Sequence, residues 1–402
     1  MAPLKIMDLF SGTGGFSKGF EDAGAFEVVC GIDMLPEAIE TFRLNHPRAV
    51  TFTDDIRQVR LGVVAERTGL ARGEIDVIVG GPPCQGFSSI RPFRSMTEDD
   101  PRNSLFEEFA AYVNYFRPAV FVMENVVGLA TYKNGTTIEQ IENCFSDLGY
   151  DVDWRVLNAA HFGVPQKRER LILIGAQEGV AVRFPQPTHA GIFRTIGLRE
   201  RHRILAPAEN GGIVSLFEDH ITDLPRAVTV MEAIGDLPRL SAGEQVDTYS
   251  CQPQTMYQEQ RRSRSTQLEW HVATAHSSRM LEIIKHSGSN ISSVPEHLIT
   301  SGFSSCYSRL EPHEPSVTIT VNFVHPASNK CIHPYQDRAL TIREGARLQS
   351  FDDDFKFAGN RTKIAKQIGN AVPPLLGRAI AESVQQMFGV DVGYAVGRED
   401  AA

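Results

Sequence analysis

The sequence predicts an α/β protein, with a parallel sheet in its first part and an irregular region inserted after it. Over the first 190 residues, short apolar runs alternate with helical stretches, which is typical of a parallel sheet covered by helices. The runs are almost continuously apolar, as expected of strands buried on both faces. From about Gly191 to Gln336 the periodicity weakens and Gly, Pro, Ser and Gln become common, which indicates a second domain with much irregular backbone.

The strand candidates are short apolar runs bounded by polar or turn residues: Lys5–Phe10, Glu27–Asp33, Ala49–Phe52, Ile75–Gly80, Ala119–Glu124 and Arg170–Gly175. Helical stretches lie between them, among them Pro36–Asn45 and Ser104–Phe116. Regular helix returns after the irregular region, at Thr341–Ser350 and from Lys363 to Met387. We find no internal repeat and no low-complexity tract.

Composition and charge narrow the class of protein. The 402 residues are 42% hydrophobic and 22% charged, as in an ordinary soluble protein, and no apolar run reaches the ~18 residues of a membrane span. The start, "MAPLKIMDLF", lacks the features of a signal peptide, so a cytoplasmic location is expected. The formal net charge of -9 disfavours a nucleic-acid binder, but the local charge pattern decides that question.

The six cysteines argue against a zinc site, because none of them forms a C-x-x-C pair. In a reducing compartment we expect free thiols, most of them small core residues and at most one of them reactive. No metal is predicted.

Polar residues at the ends of three strands predict a cofactor pocket, since ligands of parallel sheets bind beyond the carboxyl ends of the strands. A glycine-rich turn, "DLFSGTGGFSKGF", follows the first strand; Asp33 ends the second, and Asp54 and Asp55 follow the third. Each acid alone is explained by a solvated loop or a helix cap. Together the three strand ends favour a cofactor that contains a nucleoside. The glycine spacing fits no pyrophosphate loop and no P-loop lysine is present, so S-adenosylmethionine is the natural candidate.

The next two strand ends carry reactive groups. In "GGPPCQGFSS", Pro82 and Pro83 stiffen the chain and hold Cys84, a potential thiolate nucleophile, beside the pocket. Glu124 in "ENV" lies at the same edge and suits a general acid. Arg168 and Arg170 alternate at the start of a strand, which predicts that both point to one face and reach a phosphate or a base oxygen. The alternatives are a buried structural role for Cys84, a helix cap or a salt bridge for Glu124, and surface charge on an edge strand for the two arginines.

Together these segments resemble the DNA (cytosine-5) methyltransferase family. The resemblance covers most of the chain, in order and spacing, and is carried by "DLFSGTGG", "GGPPCQGFS", "ENV", "QKRER" and "QIGNAVPP". It implies a Rossmann-like S-adenosylmethionine-dependent methyltransferase sheet with an inserted, irregular target-recognition domain. The implied division is a catalytic domain in residues 1–190, a target-recognition domain in 191–336, helices that return to the catalytic domain in 337–392, and a tail in 393–402.

The resemblance implies a role for each site residue. Cys84 adds to C6 of a flipped-out cytosine, Glu124 holds N3, and Arg170 holds the base carbonyl with Arg168 close by. The expected cofactor contacts are Phe10, Gly12, Gly14, Asp33, Met34, Asp55, Ile56, Leu105, Asn370 and Val372. Met34 departs from the family, which often has an aromatic residue there. The expected DNA contacts are Gln85, Ser88, Arg199, Arg201, Arg261, Arg262, Arg264 and Thr318.

The segment after Gly86 is expected to close over DNA as a mobile loop. The expected partner is double-stranded DNA with a specific cytosine-containing site, bound by a monomer that pairs functionally with a restriction endonuclease. Some of the arginines have an alternative explanation as salt-bridge partners of neighbouring acids. Two rival functions stay open. A tRNA cytosine-5 methyltransferase shares the fold, but the Cys-Phe-Thr signature usual in that subgroup is absent, the nearest stretch being "SCYSRL". A non-catalytic DNA-binding regulator is disfavoured by Cys84, Glu124 and Arg170.

Overall fold

A seven-stranded sheet forms the centre of the first lobe in the computed structural model, which describes residues 2–83, 105–191, 224–262, 264–299 and 302–389. The strand order is β3-β2-β1-β4-β5-β8-β6. The strands are β1 Leu4–Leu9, β2 Phe26–Asp33, β3 Val50–Thr53, β4 Val77–Gly80, β5 Val120–Asn125, β6 Tyr150–Asn158, β7 Gln166–Lys167 and β8 Glu169–Gln177, with the short β9 Ser308–Arg309, β10 Ser316–Val317 and β11 Lys330–Ile332.

The predicted α/β fold with a parallel sheet is confirmed, and the sheet carries antiparallel strands at one end. Strands β1 to β5 are parallel, but β8 pairs antiparallel with both β5 and β6. Strand β6 was not predicted, because the strand candidates were continuous apolar runs. Its sequence YDVDWRVLN alternates polar and apolar residues instead. The reversal has a consequence for the site: an antiparallel strand begins at the edge where its parallel neighbours end, so Arg170 starts beside the end of β5.

Helices cover both faces of the sheet. The helices of the described residues are α1 Gly15–Asp22, α2 Pro36–Asn45, α3 Leu61–Thr68, α4 Leu105–Phe116, α5 Thr136–Asp147, α6 Val230–Ile234, α7 Met256–Arg262, α8 Ser278–Lys285, α9 Ile342–Leu348, α10 Arg361–Asn370 and α11 Pro374–Met387. One apolar cluster joins the sheet to α3, α4 and α5. A second joins its other face to α1, α2 and α11. The last helix of the described residues therefore completes the core of the first lobe.

The helix predicted from Lys363 to Met387 is two helices. Residues Ala371 to Pro373 separate α10 from α11, because consecutive prolines cannot continue a helix, while Pro374 suits the first position of a new one. Helix α11 approaches α1 closely: a Cβ on Gly19 would lie 2.5 Å from the carbonyl oxygen of Pro374. Only a glycine permits that approach.

A third apolar cluster forms the second lobe and spans Val230 to Ile368. It includes α9 and α10, so this core continues past residue 336, where a domain boundary is predicted from the sequence. Buried ion pairs cross it: Arg347 lies 2.6 Å from Asp353 and 3.1 Å from Asp236. Among the described residues, no helix is long and apolar enough to span a membrane. The five cysteines in the described ranges are free thiols.

Candidate active site

The glycine-rich turn after β1 is held against the end of β2. The backbone N–H of Gly12 donates to Asp33 at 2.9 Å, and the other carboxylate oxygen of Asp33 accepts from Leu35 N–H at 2.9 Å. Phe10, Gly12 and Gly14 all have positive φ angles, of 58°, 52° and 82°. Burial raises the pKa of Asp33, although its backbone donors act in the opposite direction. The turn and the acid predicted to bind the cofactor therefore form one unit.

Two buried residues that the sequence analysis did not single out, His46 and Asp8, lie next to this turn. The ring of His46 is fully buried, with Nε2 3.2 Å from the carbonyl oxygen of Gly14 and Nδ1 2.9 Å from Glu21. A Cβ on Gly14 would lie 2.6 Å from Nε2 of His46, so this position requires glycine. Asp8 is buried in β1 and accepts a 2.6 Å hydrogen bond from Ser17. Its burial raises the pKa of Asp8 to about 7.

The remaining predicted cofactor residues near β2 and β3 differ in their surroundings. Met34 is 63% exposed and Ile56 is buried. Asp55 caps a short 3-10 helix and forms a 2.5 Å ion pair with Arg57. The hydrogen bond from Arg57 is the main cause of the lowered pKa of Asp55. Asp55 is therefore ionised and already engaged on one side.

The C-terminal segment reaches the glycine-rich turn. A Cβ on Gly15 would lie only 2.6 Å from the carbonyl oxygen of Val372, and Asn370, at the end of α10, is exposed. Leu105 is buried at the start of α4. The structure thus brings Val372 to the turn, as the sequence analysis expected.

Glu124 and Arg170 form an ion pair at the edge of the sheet where β5 ends and β8 begins. Nε of Arg170 lies 2.6 Å from Glu124, and each side chain is 15% exposed. A Cβ on Gly81 would lie 2.9 Å from the Glu124 carboxylate, so the glycine lets the chain pass close to it. Asn125 donates to the carbonyl oxygen of Pro82 at 3.1 Å. The proline stem is therefore fastened beside the ion pair; Cys84 itself, with Gln85 and Ser88, lies outside the described residues.

Arg168 is buried and its guanidinium binds backbone carbonyl groups, which argues against the predicted contact with a phosphate or a base oxygen. Only 1% of Arg168 is exposed, and its guanidinium donates to the carbonyl oxygens of Ile319, Gly369 and Ala371. Burial lowers its pKa well below the usual range. An alternating pattern did not predict this, because Arg168 lies between β7 and β8 and not within a regular strand.

Two of the arginines predicted to bind DNA are instead bound to acids, so that prediction is wrong for them. Arg261 lies 2.9 Å from Asp352. Arg262 lies 3.3 Å from Asp236 and stacks 3.7 Å from the ring centre of Tyr249. The alternative explanation, pairing with neighbouring acids, holds for both.

The other predicted DNA contacts differ in their surroundings. Arg264 is exposed. Thr318 follows β10, which pairs with β7, and its hydroxyl donates to the carbonyl oxygen of Lys167 at 3.0 Å. Arg199 and Arg201 lie outside the described residues. Thr318 thus joins the segment that carries Arg170.

The strand order, with one antiparallel strand beside β5, and the glycine-rich turn at the end of β1 define a Rossmann-like methyltransferase of the class that takes its methyl group from S-adenosylmethionine. The sequence profile described as "C-5 cytosine-specific DNA methylase" matches residues 4–386. The chain therefore belongs to the C-5 cytosine-specific DNA methylase family, and its enzyme class is DNA (cytosine-5)-methyltransferase.

Characterised relatives and solved structures agree with this assignment. Type II methyltransferase M1.HphI of Haemophilus parahaemolyticus is 37% identical over 96% of this chain and 87% of its own length. Type II methyltransferase M.AgeI of Thalassovita gelatinovora is 33% identical over 95% of this chain and 99% of its own. Among solved structures, an E. coli prophage protein assigned as a DNA modification methyltransferase superposes with a TM-score of 0.71 at 25% identity, covering 96% and 99% of the two chains.

Proposed function

We propose that this chain methylates C5 of cytosine within one specific sequence of double-stranded DNA, by base flipping and a transient bond between Cys84 and C6. The observation that carries the proposal is the Glu124–Arg170 ion pair, 2.6 Å long, beside the proline stem that leads to Cys84. The groups at this edge suit a cytosine ring: the Glu124 carboxyl suits N3, the Arg170 guanidinium suits O2, and the segment that leads to the Cys84 thiol suits C6. Because a base in a duplex cannot enter such an edge, the target must leave the stack.

Each protein group has a defined step in this mechanism. The Cys84 thiolate forms a bond to C6 while Glu124 donates a proton or a hydrogen bond to N3, and Arg170 binds the base oxygen. C5 gains enamine character and takes the methyl group from the donor, whose bond between that methyl carbon and sulfur breaks as S-adenosylhomocysteine leaves. A base then removes the proton from C5, and the bond between Cys84 and C6 breaks. Arg170 also keeps Glu124 oriented before the base arrives.

The residues around the glycine-rich turn fit S-adenosylmethionine, which supplies the methyl group when bound. The hydroxyls of Ser11 and Thr13 are buried in the turn without a hydrogen-bond partner, and buried polar groups are otherwise nearly always paired. A bound ligand's polar atoms would satisfy them. In this proposal Asp33 binds the ribose, Asp55 and Ile56 the adenine, and Phe10, Gly12, Gly14, Leu105, Asn370 and Val372 line the rest, with Met34 packing on the adenine face.

We also propose a biological setting. The names of the most similar relatives describe type II methyltransferases, which supports a role in a restriction-modification system with a partner endonuclease. In this setting the protein acts as a monomer.

Methylation of genomic DNA tests the function directly. The chain is expressed in a host free of cytosine methylation, and bisulfite sequencing of the host DNA is expected to show protected cytosines in one short sequence context. Methyl transfer to purified duplex DNA and to tRNA is measured in parallel. Transfer only to tRNA would replace the proposed substrate with the rival one.

The nucleophile has its own test. Cys84→Ala is expected to abolish methyl transfer, since no other group can form the bond to C6, while S-adenosylhomocysteine still binds with wild-type affinity in a calorimeter. Cys144→Ala, a half-buried cysteine on α5, is the matched control and is expected to keep full activity. Methyl transfer by the Cys84→Ala protein would remove the covalent step from the mechanism.

A further inference from the structure

Three buried polar side chains, Gln166, Arg168 and Gln349, connect segments that serve different parts of the proposed site. We call these three residues the buried polar hub. Gln166 and Arg168 precede Arg170 in the chain, and Gln349 follows α9. All three are buried.

The guanidinium of Arg168 joins two of these segments. One terminal nitrogen donates to Ile319 at 3.4 Å, and the other donates at 3.1 Å both to Gly369 and to Ala371. Ile319 lies directly after Thr318 on the target-recognition side. Gly369 and Ala371 flank Asn370, a predicted cofactor contact. One cation therefore holds both segments to the chain two residues before Arg170.

The two glutamines complete the hub. Gln166 donates to the side-chain oxygen of Gln349 at 2.6 Å and accepts from the backbone N–H of Ile319 at 2.8 Å. Gln349 in turn donates to the carbonyl oxygens of Ile368 at 2.6 Å and Ala371 at 3.3 Å. Each amide is thus used as both a donor and an acceptor inside the core.

The hub controls the direction in which the chain leaves α10. The last carbonyl groups of a helix have no partner within the helix, and here those of Ile368, Gly369 and Ala371 are bound by hub side chains. These bonds fix the turn between α10 and α11, which carries Asn370 and Val372. The same turn lies against Gly15, where the Val372 carbonyl would be 2.6 Å from an added Cβ.

We propose that Arg168, with Gln166 and Gln349, is a positioning residue that holds the cofactor pocket and the base pocket at a fixed separation. It holds Asn370 and Val372 against the glycine-rich turn and, through the same contacts, keeps Arg170 in register with Glu124. The proposal rests on the cofactor contacts assigned to Asn370 and Val372 in the proposed function. It assigns Arg168 no contact with the substrate.

Arg309 provides a matched control, because its guanidinium also binds backbone carbonyl oxygens. It donates to Ile284, Ser287, His333 and Gln336 at distances between 2.9 and 3.0 Å. All of these groups belong to the second lobe, and none lies on the turn between α10 and α11. Loss of Arg309 therefore removes carbonyl hydrogen bonds of the same kind, together with one ion pair to Asp337, without touching the cofactor pocket.

The experiment compares Arg168→Lys and Arg309→Lys in the full chain, by thermal unfolding and by calorimetric binding of S-adenosylhomocysteine without DNA. A lysine ammonium cannot reproduce the planar fork of donors, so both variants are expected to unfold at lower temperature. Only Arg168→Lys is expected to weaken S-adenosylhomocysteine binding, by roughly tenfold, as loss of hydrogen bonds from a charged group predicts. Its KM for the methyl donor should rise in parallel.

Gln349→Met supplies a second variant, at an uncharged residue, that removes two hydrogen bonds to the end of α10 and the turn after it. It is expected to weaken S-adenosylhomocysteine binding, and the double variant with Arg168→Lys should lose less than the sum of the two, since both side chains bind Ala371. Equal losses of affinity in the Arg168 and Arg309 variants, or none in either, would reduce the hub to a purely structural role. DNA methylation is measured separately, so its absence from the wild type would reject the proposed substrate and leave the binding comparison intact.

Discussion

At the scale of single residues, burial sets the protonation of the acids around the glycine-rich turn. Asp8 is buried in β1 under the turn, and its pKa is raised to about 7 chiefly because burial disfavours its charged form. Asp33, at the end of β2, is shifted in the same direction for the same reason. The turn therefore lies over acids that hold their protons more tightly than exposed carboxyls do.

The raised pKa of Asp8 predicts how stability depends on pH. A folded state that binds a proton more tightly than the unfolded chain is most favoured below the unfolded value of 3.8. Its free energy of unfolding then falls as the pH rises toward 7, by up to about 4 kcal/mol from this residue. Asp8→Asn keeps an acceptor for Ser17 and should remove that part of the fall, as measured by urea unfolding between pH 4 and 8. Identical pH profiles for the two proteins would contradict the assignment.

The arginines near α7 allow a second test at this scale. Arg262→Gln breaks a partly buried ion pair with Asp236, so it should lower the unfolding temperature and leave the salt dependence of DNA binding unchanged. Arg264→Gln removes an exposed charge. If Arg264 contacts a phosphate, this change should reduce the slope of log affinity against log salt by about 1 without changing stability. An unchanged slope for Arg264→Gln would remove it from the DNA contacts.

At the scale of elements, the pairing of α1 with α11 depends on glycine. A Cβ on Gly19 would lie 2.5 Å from backbone atoms of Pro374 and Arg378, and backbone cannot rotate away as a side chain can. The first and last helices of the lobe are thus in direct backbone contact, and the glycine-rich turn is continuous with the first of them.

Gly19→Ala is therefore expected to destabilise the protein by about 1–3 kcal/mol, as overpacking usually does. Gly62→Ala on α3 is the control, since an added Cβ there meets nothing within 4 Å and alanine is the better helix former. Chemical denaturation of both variants measures the difference. A neutral Gly19→Ala would show that the two helices can separate freely.

Sequence reasoning located the elements with continuous patterns and missed those defined by partners. Helix α2 matches its predicted bounds, because a proline starts it and the apolar pattern is regular. Strand β6 was missed because the search followed continuous apolar runs, whereas β6 alternates polar and apolar residues. Nothing local distinguishes Arg261, which pairs with Asp352 across the fold, from Arg264, which stays exposed. Likewise, His46 is far in sequence from Gly14, the residue whose conformation it restricts. The acids and carbonyls that capture these side chains come from distant segments.

At the scale of the whole molecule, four largely buried acids, two in each lobe, have pKa shifts of opposite direction in the two lobes. In the first lobe Asp8 and Asp33 have raised pKa values. In the second, Arg338 and Arg347 lower the pKa values of the buried Glu344 and Asp353 despite their burial. Through these four groups, a fall in pH should stabilise the first lobe and destabilise the second. Carboxylates with lowered pKa values stabilise the fold only while they stay ionised.

The chain contains two tryptophans, one for each lobe: Trp154 lies in β6 and Trp270 packs against the second core. Single-tryptophan variants, Trp270→Phe and Trp154→Phe, allow fluorescence to follow each lobe during acid titration. As the pH falls below about 4.5, the usual value of a glutamate, Trp270 should report loss of structure before Trp154 does. Coincident transitions would mean that the lobes unfold as one unit.

The position of α11 also affects how the protein folds during synthesis. The face of the sheet that α11 covers is built from strands that precede the second lobe in the chain, whereas Leu376, Ile380 and Val384 are synthesised only after that lobe. At ordinary rates of synthesis, the roughly 200 residues between β8 and α11 take on the order of 10 to 40 seconds. Throughout that interval the apolar face of the sheet that packs against α11 stays uncovered. We therefore expect chaperones to bind the first lobe while the chain is still attached to the ribosome.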